Sequence, residues 1–260
     1  MFFRPRAPEP SFRLFVKAPY IPRFALSLRC GSDVIPSSAS RLAVRAAGWS
    51  LAASAWALAS LAHAELTPHP DAAKSKVAMC IGCHGIPGYQ ASFPEVHKVP
   101  MISGQNAKYI ASALTAYQKG DRKHPTMRGI ASSLSEQDIV DIAALYEASG
   151  KDLPGHAGQG GAPSAEVQGL LTKGNCVACH GEGLNKPIDA GYPKLAGQHA
   201  DYVYVALKAY QTDHNPQVGR GNPIMGTQAR LFKPAELKEL AQYVASLPGD
   251  LKTVPQNRFK

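Results

Sequence analysis

The sequence predicts an all-α protein that contains two copies of one small domain, and three observations support this prediction. Segment 99–121 recurs as segment 192–214, and segment 126–150 recurs as segment 224–249. Apolar residues return at the three- and four-residue spacing of a helix in both copies. An alternating pattern typical of strands never extends beyond a few residues. We therefore expect two small helical domains in tandem.

The two copies are separated by a segment rich in glycine and proline. Residues 149–163 contain five Gly and two Pro and carry no periodic apolar pattern, which is typical of a linker. We predict a first domain over 65–150, a linker over 151–163 and a second domain over 164–260. Because domains of this size lie near the lower limit of what folds alone, we expect a large buried cofactor in each core.

Each copy is expected to begin with two helices. The first leads into a pair of cysteines, over 70–82 in one copy and 164–178 in the other. The second has an apolar face that starts at Ile110 in the first copy and at Val203 in the second. Residues at positions i, i+3, i+4 and i+7 from these starting points share one side of a helix, which would face the core.

The third helix of each copy has a recognisable start. Ser135 and Asp138 are spaced as in a capping box. In the second copy, Pro234 suits the first turn of the matching helix. A loop that contains Gly and Pro is expected ahead of each third helix.

Residues 1–64 are predicted to be a leader that is removed from the mature protein. Arg41–Arg45 is charged, Ala46–Leu61 is apolar and rich in Ala and Leu, and Ala62–Ala64 fits the A-x-A cleavage pattern. These features predict export with cleavage after the last of these residues, and an uncleaved membrane anchor is the alternative. Residues 1–40 fit neither a signal peptide nor a domain. They are interpreted either as preceding the true translation start or as a long leading segment.

Charge and hydropathy exclude several classes of protein. The net charge is +9, but residues 1–64 hold eight Lys or Arg against two acids, so the remainder is close to neutral. A near-neutral body argues against a protein that binds nucleic acid through its phosphates. No apolar run is long enough to span a membrane without interruption. Five cysteines in 260 residues are too few for a disulfide scaffold.

Each copy carries one C-x-x-C-H motif, at Cys80–His84 and at Cys176–His180. This motif is the attachment signature of c-type haem, because two thiols about one helical turn apart can each bond a vinyl group. A redox dithiol would need a βαβ context, and a zinc site would draw two cysteine pairs into one domain. The adjacent histidines, His84 and His180, are the predicted proximal iron ligands. We predict two covalently bound haem c groups, held by Cys80, Cys83, Cys176 and Cys179.

Methionine is the predicted second axial ligand of each iron. Met127 and Met225 occupy matching places in the two copies, in the loop between the second and third helices. Met79 directly precedes a haem-binding cysteine, so it is expected in the core, and Met101, which matches Lys194, is expected to pack. Histidines that do not repeat between the copies are the competing ligands, and we expect them to be exposed or bonded locally. These are His69, His97, His124, His156, His199 and His214.

Three further groups of residues are expected around the haems. The backbone carbonyl of Pro100 or Pro193 would accept the Nδ1 proton of the proximal histidine, and a simple turn proline is the alternative. Tyrosines that recur on the second helix would line the haem walls, namely Tyr109, Tyr117, Tyr202 and Tyr210. A basic cluster would meet haem propionates or an acidic partner, or would form a solvated face; it contains Lys119, Arg122, Lys123 and His124.

Over nearly all of residues 70–250 the chain resembles the cytochrome c4 family, di-haem electron carriers built from two class I cytochrome c domains. The resemblance is carried by "CIGCHG" with "HPTMRGI" and by "CVACHG" with "YPKLAGQ" and "NPIMGTQAR". It implies covalent haem at the four cysteines and the axial pairs His84/Met127 and His180/Met225. The first copy departs from the pattern, since it has "VPMISGQ" where the family resembles "FPKLAGQ" and its 85–99 loop is longer.

The predicted ligands favour electron transfer over catalysis. Histidine and methionine together fill both axial positions and raise the reduction potential, so an enzyme is not expected. The resemblance implies a periplasmic monomer, at times at the inner-membrane surface, that links a cytochrome bc-type donor to a terminal oxidase or another acceptor. Two alternatives stay open. One is a di-haem oxidoreductase of the thiosulfate dehydrogenase or peroxidase type, and the other is a fixed cytochrome subunit of a dehydrogenase or oxidase.

Overall fold

The computed structural model describes residues 66–259, and both repeats lie in one compact unit, Ala64–Lys260. The predicted leader, its cleavage site and the interpretations of residues 1–40 lie outside the described residues. Within the described part of the chain, no helix is both long and apolar enough to cross a membrane.

The first repeat contains five helices and three two-residue strands. Two helices precede a small hairpin, and the remaining three follow it. In chain order the elements are α1 (Pro70–Ala73), α2 (Ala78–His84), β1 (Gln90–Ala91), β2 (His97–Lys98), α3 (Ala107–Lys119), β3 (Arg122–Lys123), α4 (Pro125–Ala131) and α5 (Glu136–Ala148).

The second repeat has the same order of helices, with one strand. A short 3₁₀ helix, Glu182–Leu184, follows its cysteine motif, and another, Gln256–Phe259, lies near the end of the chain. The other elements are α6 (Ala165–Lys173), α7 (Cys176–His180), α8 (Ala200–Gln211), β4 (Gly219–Arg220), α9 (Pro223–Ala229) and α10 (Pro234–Ser246).

The prediction of a helical fold is confirmed, with two differences in detail. The first predicted helix of each copy is broken, and in the second copy the break falls at Asn175, whose φ of 46° is left-handed. The loop expected ahead of each third helix contains a short helix, α4 or α9. Each of these has a proline in its first turn and a side chain that caps its start, which is enough to turn a loop into a helix.

Each repeat has its own hydrophobic core, built mainly by its two long helices. In the first core, α3 packs against α5, where Tyr146 and Ile142 are almost completely buried. In the second core, α8 packs against α10 around Leu237. The capping box predicted at Ser135 and Asp138 is present, since each residue's backbone N–H donates to the other's side chain.

The repeats are joined by backbone pairing that the sequence did not predict. Strand β3 of the first repeat pairs antiparallel with β4 of the second, so that Arg122 lies opposite Arg220. The segment after the last helix of the second repeat also crosses to the first, where the Lys252 N–H donates to the Ser103 carbonyl at 3.0 Å. The strand pairing joins equivalent positions of the two repeats, and the chain end adds a second contact between them.

Candidate haem-binding sites

Each cysteine motif lies within a single helix. In the first repeat, α2 carries Cys80, Cys83 and the adjacent histidine, and in the second repeat α7 carries Cys176 and Cys179 with theirs. All four cysteines are free thiols and half-buried. Burial raises the pKa of Cys80 to about 11, so that thiol is not a ready redox nucleophile. Two free thiols one helical turn apart suit the formation of two thioether bonds.

The histidine of each motif is oriented by a backbone carbonyl, as expected from the sequence. The Nδ1 of His84 lies 2.9 Å from the Pro100 carbonyl oxygen, and that of His180 lies 3.0 Å from the Pro193 carbonyl oxygen. Because a carbonyl can only accept, Nδ1 must carry the proton and Nε2 keeps a free lone pair for a metal. Burial lowers the pKa of both histidines, which favours this neutral form.

The two predicted methionine ligands lie at equivalent places in the short helices. The backbone N–H of Met127 in α4 donates to His124 Nδ1 at 3.4 Å, and that of Met225 in α9 donates to Asn222 Oδ1 at 2.9 Å. Both methionine side chains are half-buried. A capped helix fixes the backbone at each thioether, but ligation by Met127 and Met225 stays a prediction.

Other sulfur and imidazole side chains differ in their surroundings. Met79 is 42% exposed, so its expected place in the core is wrong, because α2 turns that position outward. His97 is buried and its Nδ1 lies 2.8 Å from the Glu95 carbonyl oxygen. His124 caps α4, so these two histidines have the local bonds that the sequence analysis expected.

Two arginines and four tyrosines from both repeats converge next to the paired strands. We call them the arginine–tyrosine cluster, which consists of Arg122, Arg220, Tyr109, Tyr117, Tyr202 and Tyr210. Arg122 Nη2 donates to the Tyr202 hydroxyl at 2.8 Å, and Arg220 Nη2 donates to the same hydroxyl at 3.0 Å. The Arg122 guanidinium also lies 4.6 Å from the centre of the Tyr117 ring.

The cluster has an excess of positive charge. Among residues 66–259, no carboxylate forms an ion pair with either arginine. The buried Nε of Arg122 has no acceptor within that part of the chain. Although burial opposes it, the two guanidiniums lower the pKa of Tyr202 to about 8. Unmatched half-buried cations of this kind fit the carboxylate groups of a ligand.

Part of this cluster is predicted from the sequence, namely the four tyrosines and Arg122, but Arg220 is not. The repeat itself held the missing signal, since Arg220 stands in the second copy where Arg122 stands in the first. The side chains present fit haem c at both motifs, because each motif supplies paired thiols and an oriented imidazole, and the cluster supplies cations for haem carboxylates.

Comparisons with known proteins place the chain among c-type cytochromes. The sequence profile of the cytochrome c family matches residues 164–248. A cytochrome c4 of Stutzerimonas stutzeri is 31% identical over 192 residues, which cover 68% of this chain and 88% of that relative. The thiosulfate dehydrogenase electron acceptor of the same species, strain A1501, is also 31% identical, over 65% of this chain and 78% of the relative.

A solved structure shows the same architecture. The cytochrome c4 of Acidithiobacillus ferrooxidans superposes with a TM-score of 0.50 and 25% sequence identity, over 66% of this chain and 99% of that one. Cytochrome c domains hold haem c covalently through the C-x-x-C-H motif, and proteins of this type are electron carriers. The repeats, the motifs and these similarities together lead to one conclusion, that the chain belongs to the cytochrome c4 family.

Proposed function

We propose that the chain is a periplasmic di-haem carrier that passes single electrons from a cytochrome bc-type donor to a terminal oxidase or another acceptor. The observation that carries this proposal is the repetition of one donor set in two helical domains, over 65–150 and 164–260. Bound haem supplies an iron that alternates between the ferric and ferrous states. We propose that both haems have histidine and methionine as axial ligands, through His84/Met127 and His180/Met225.

The protein's own residues define what such an iron can do. The carbonyl of Pro100 or Pro193 holds each imidazole ring in place and increases its basicity. A methionine held on a capped helix would occupy the opposite side. With both positions filled, no coordination site is left for an oxygen or sulfur substrate. This arrangement favours a carrier over an oxidoreductase that binds substrate at iron.

We also propose that the arginine–tyrosine cluster binds haem carboxylates from both domains. Arg122 and Arg220 come from different repeats yet share the Tyr202 hydroxyl. Charge-assisted hydrogen bonds from arginine to carboxylate are among the stronger polar contacts in proteins. One carboxylate from each domain would neutralise the two arginines and join the two domains.

An enzyme that oxidises thiosulfate is the second candidate for the electron donor. Relatives from Stutzerimonas stutzeri and Thiomonas intermedia, 31% and 30% identical to this chain, are named thiosulfate dehydrogenase electron acceptors. Such a role needs the same electron-transfer chemistry with a different donor. We therefore propose thiosulfate dehydrogenase as an alternative physiological donor to this carrier.

The location of the carrier follows from the leader. We propose that the signal peptide within residues 1–64 directs export and is cleaved after Ala64. The mature protein would act as a periplasmic monomer, with transient contact to the inner-membrane surface. The predicted mature chain has 20 Lys or Arg against 17 acids, a surplus too small to favour binding of nucleic acid through its phosphates.

An anaerobic spectroelectrochemical titration of the mature protein tests the ligation, with haem counted per chain by mass spectrometry. We expect two haems, two one-electron waves at positive potentials, and a far-red sulfur-to-ferric-iron band that accounts for both irons. One haem per chain, or one wave at a far lower potential, would contradict the proposal. The donor is tested by mixing the oxidised protein with purified thiosulfate dehydrogenase, with and without thiosulfate.

A further inference from the structure

Two glutamines at matching positions reach from one repeat into the other. Gln105 follows the Gly104 turn and Gln198 follows the Gly197 turn. Their side chains are 4% and 5% exposed. A buried amide needs partners for its oxygen and its nitrogen, and here those partners lie mainly in the opposite repeat.

Each glutamine pairs with one backbone residue of the opposite repeat. Gln105 Nε2 donates to the Lys194 carbonyl at 2.9 Å, and its Oε1 accepts from the Lys194 N–H at 2.9 Å. Gln198 does the same with Met101, at 2.9 Å and 3.1 Å. The side-chain amide thus makes the two hydrogen bonds that a neighbouring β-strand would make. It engages both the backbone N–H and the backbone carbonyl of the residue that it contacts.

The two residues held in this way have a specific position in the chain. Met101 follows Pro100, and Lys194 follows Pro193. The carbonyls of these prolines are the acceptors for Nδ1 of the two motif histidines. Gln198 of the second repeat therefore fixes the loop that orients His84 in the first. In the same way, Gln105 of the first repeat fixes the loop that orients His180 in the second.

We propose that Gln105 and Gln198 are positioning residues that act crosswise, each on the proximal histidine of the other domain. We call the pair the glutamine clasp. The inference rests on the proposed function, since it requires haem at both motifs. The hydrogen bond to a ligating histidine sets the ring's orientation and basicity. Each domain would thereby tune the potential of the haem in its neighbour.

A local role makes a different prediction. Gln105 Oε1 also accepts from the Asn106 N–H, and Gln198 Oε1 accepts from the His199 N–H, both at 3.0 Å, where α3 and α8 begin. If the glutamines only support these helix starts, a substitution would alter the haem in its own domain. The two roles therefore differ in which haem responds.

The test uses the full-length mature holoprotein with Gln105→Leu and Gln198→Leu made separately. Each wave is first assigned to its domain with Met127→His and Met225→His. We expect Gln105→Leu to raise the potential of the second-domain haem, because a looser carbonyl contact makes the histidine a weaker donor. Gln198→Leu should raise the first. A tenfold change in the reduction equilibrium corresponds to about 59 mV for one electron.

Matched controls come from a second pair of repeated glutamines. Gln118 Nε2 donates to the carbonyls of Ala131 and Leu134, both at 2.8 Å, within the first repeat. Gln211 makes the equivalent contacts within the second repeat. Gln118→Leu and Gln211→Leu should therefore alter only the haem of their own domain.

Outcomes other than the expected one are also informative. A shift confined to the substituted domain, or no shift in either wave, overturns the crosswise role. If the leucine variants lose haem, Gln105→Met and Gln198→Met keep the length of the side chain and remove both amide groups without adding a charge, and the same crosswise shift is expected. Failure of the proposed function is seen separately, as fewer than two haems or a missing methionine band in the unsubstituted protein.

Discussion

Replacing Arg220 with methionine is expected to destabilise the holoprotein, and the sign of the effect tests whether a carboxylate binds the arginine–tyrosine cluster. Arg122 and Arg220 each donate to the Tyr202 hydroxyl, at 2.8 Å and 3.0 Å. Their donating nitrogens are therefore no more than about 6 Å apart. At an effective dielectric constant of about 20, two unit charges at that distance repel by about 3 kcal/mol.

Two opposite results are possible. If no anion is present, removal of one arginine relieves this repulsion and the protein becomes more stable. If haem carboxylates occupy the cluster, removal leaves a half-buried carboxylate without its partner, which costs about 3 kcal/mol, the lower end for a broken buried pair. For a domain of this size, a loss of that order lowers the melting temperature by more than about 10 °C.

The assay is reversible guanidinium unfolding of the holoprotein, followed by helical circular dichroism and haem absorption. Arg122→Met should behave like Arg220→Met. Arg230→Met is the control, since Arg230 pairs with Asp213 at the surface and exposed pairs contribute little. Arginine variants that match or exceed the unsubstituted protein in stability would refute carboxylate binding at this cluster.

Three further predictions concern a proposed iron ligand, an aromatic contact near the end of the chain and a helix cap. Met225→His should lower the potential of the second haem by about 59 mV or more while haem stays attached, and an unchanged wave would remove Met225 as a ligand. Phe259→Ala should lower the free energy of unfolding of the first domain by about 2 kcal/mol, because the centre of its half-buried ring lies 5.5 Å from the centre of the Tyr146 ring. Chemical unfolding measures this change, and an equal loss in both domains would contradict the prediction. A hydrogen bond from Lys76 and the cap at Ser135 lower the pKa of the Asp138 carboxyl from 3.8 to about 2. The stabilisation that the ionised carboxylate provides should therefore be lost as the pH falls from 3.8 to about 2. Acid unfolding curves should show this loss in the unsubstituted protein and not in Asp138→Asn.

The features predicted correctly from the sequence depend on neighbours along the chain. The apolar spacing from Ile110 and Val203 identified the core faces of α3 and α8, and both residues are buried. The capping box at Ser135 needs only a residue three positions away. The C-x-x-C-H spacing, which predicts the attachment of haem c, is likewise found in five consecutive residues. Signals of this kind are complete within about two helical turns, so no tertiary structure is needed to find them.

Apart from the short helices α4 and α9, the features that were missed depend on contacts between distant residues. The pairing of β3 with β4 involves two-residue strands that have no alternating pattern of their own. Helix α4 begins at a histidine cap, which is an unusual residue in that role, so its sequence looked like a loop. The glutamine clasp joins positions about ninety residues apart, and only the packing of the two repeats brings them together.

The two candidate sites share one donor set but differ in their surroundings. The N–H of Gly104 donates to the Tyr146 carbonyl, and that of Gly197 donates to the Val244 carbonyl, both at 2.9 Å, so Tyr146 and Val244 are equivalent positions. Tyr146 is buried beside Cys80, and its hydroxyl lies near the thiol of that residue. Valine offers no such hydroxyl to the second motif. Since the proposed axial ligands are the same in both domains, a difference in potential between the haems would originate in these surroundings rather than in the ligands.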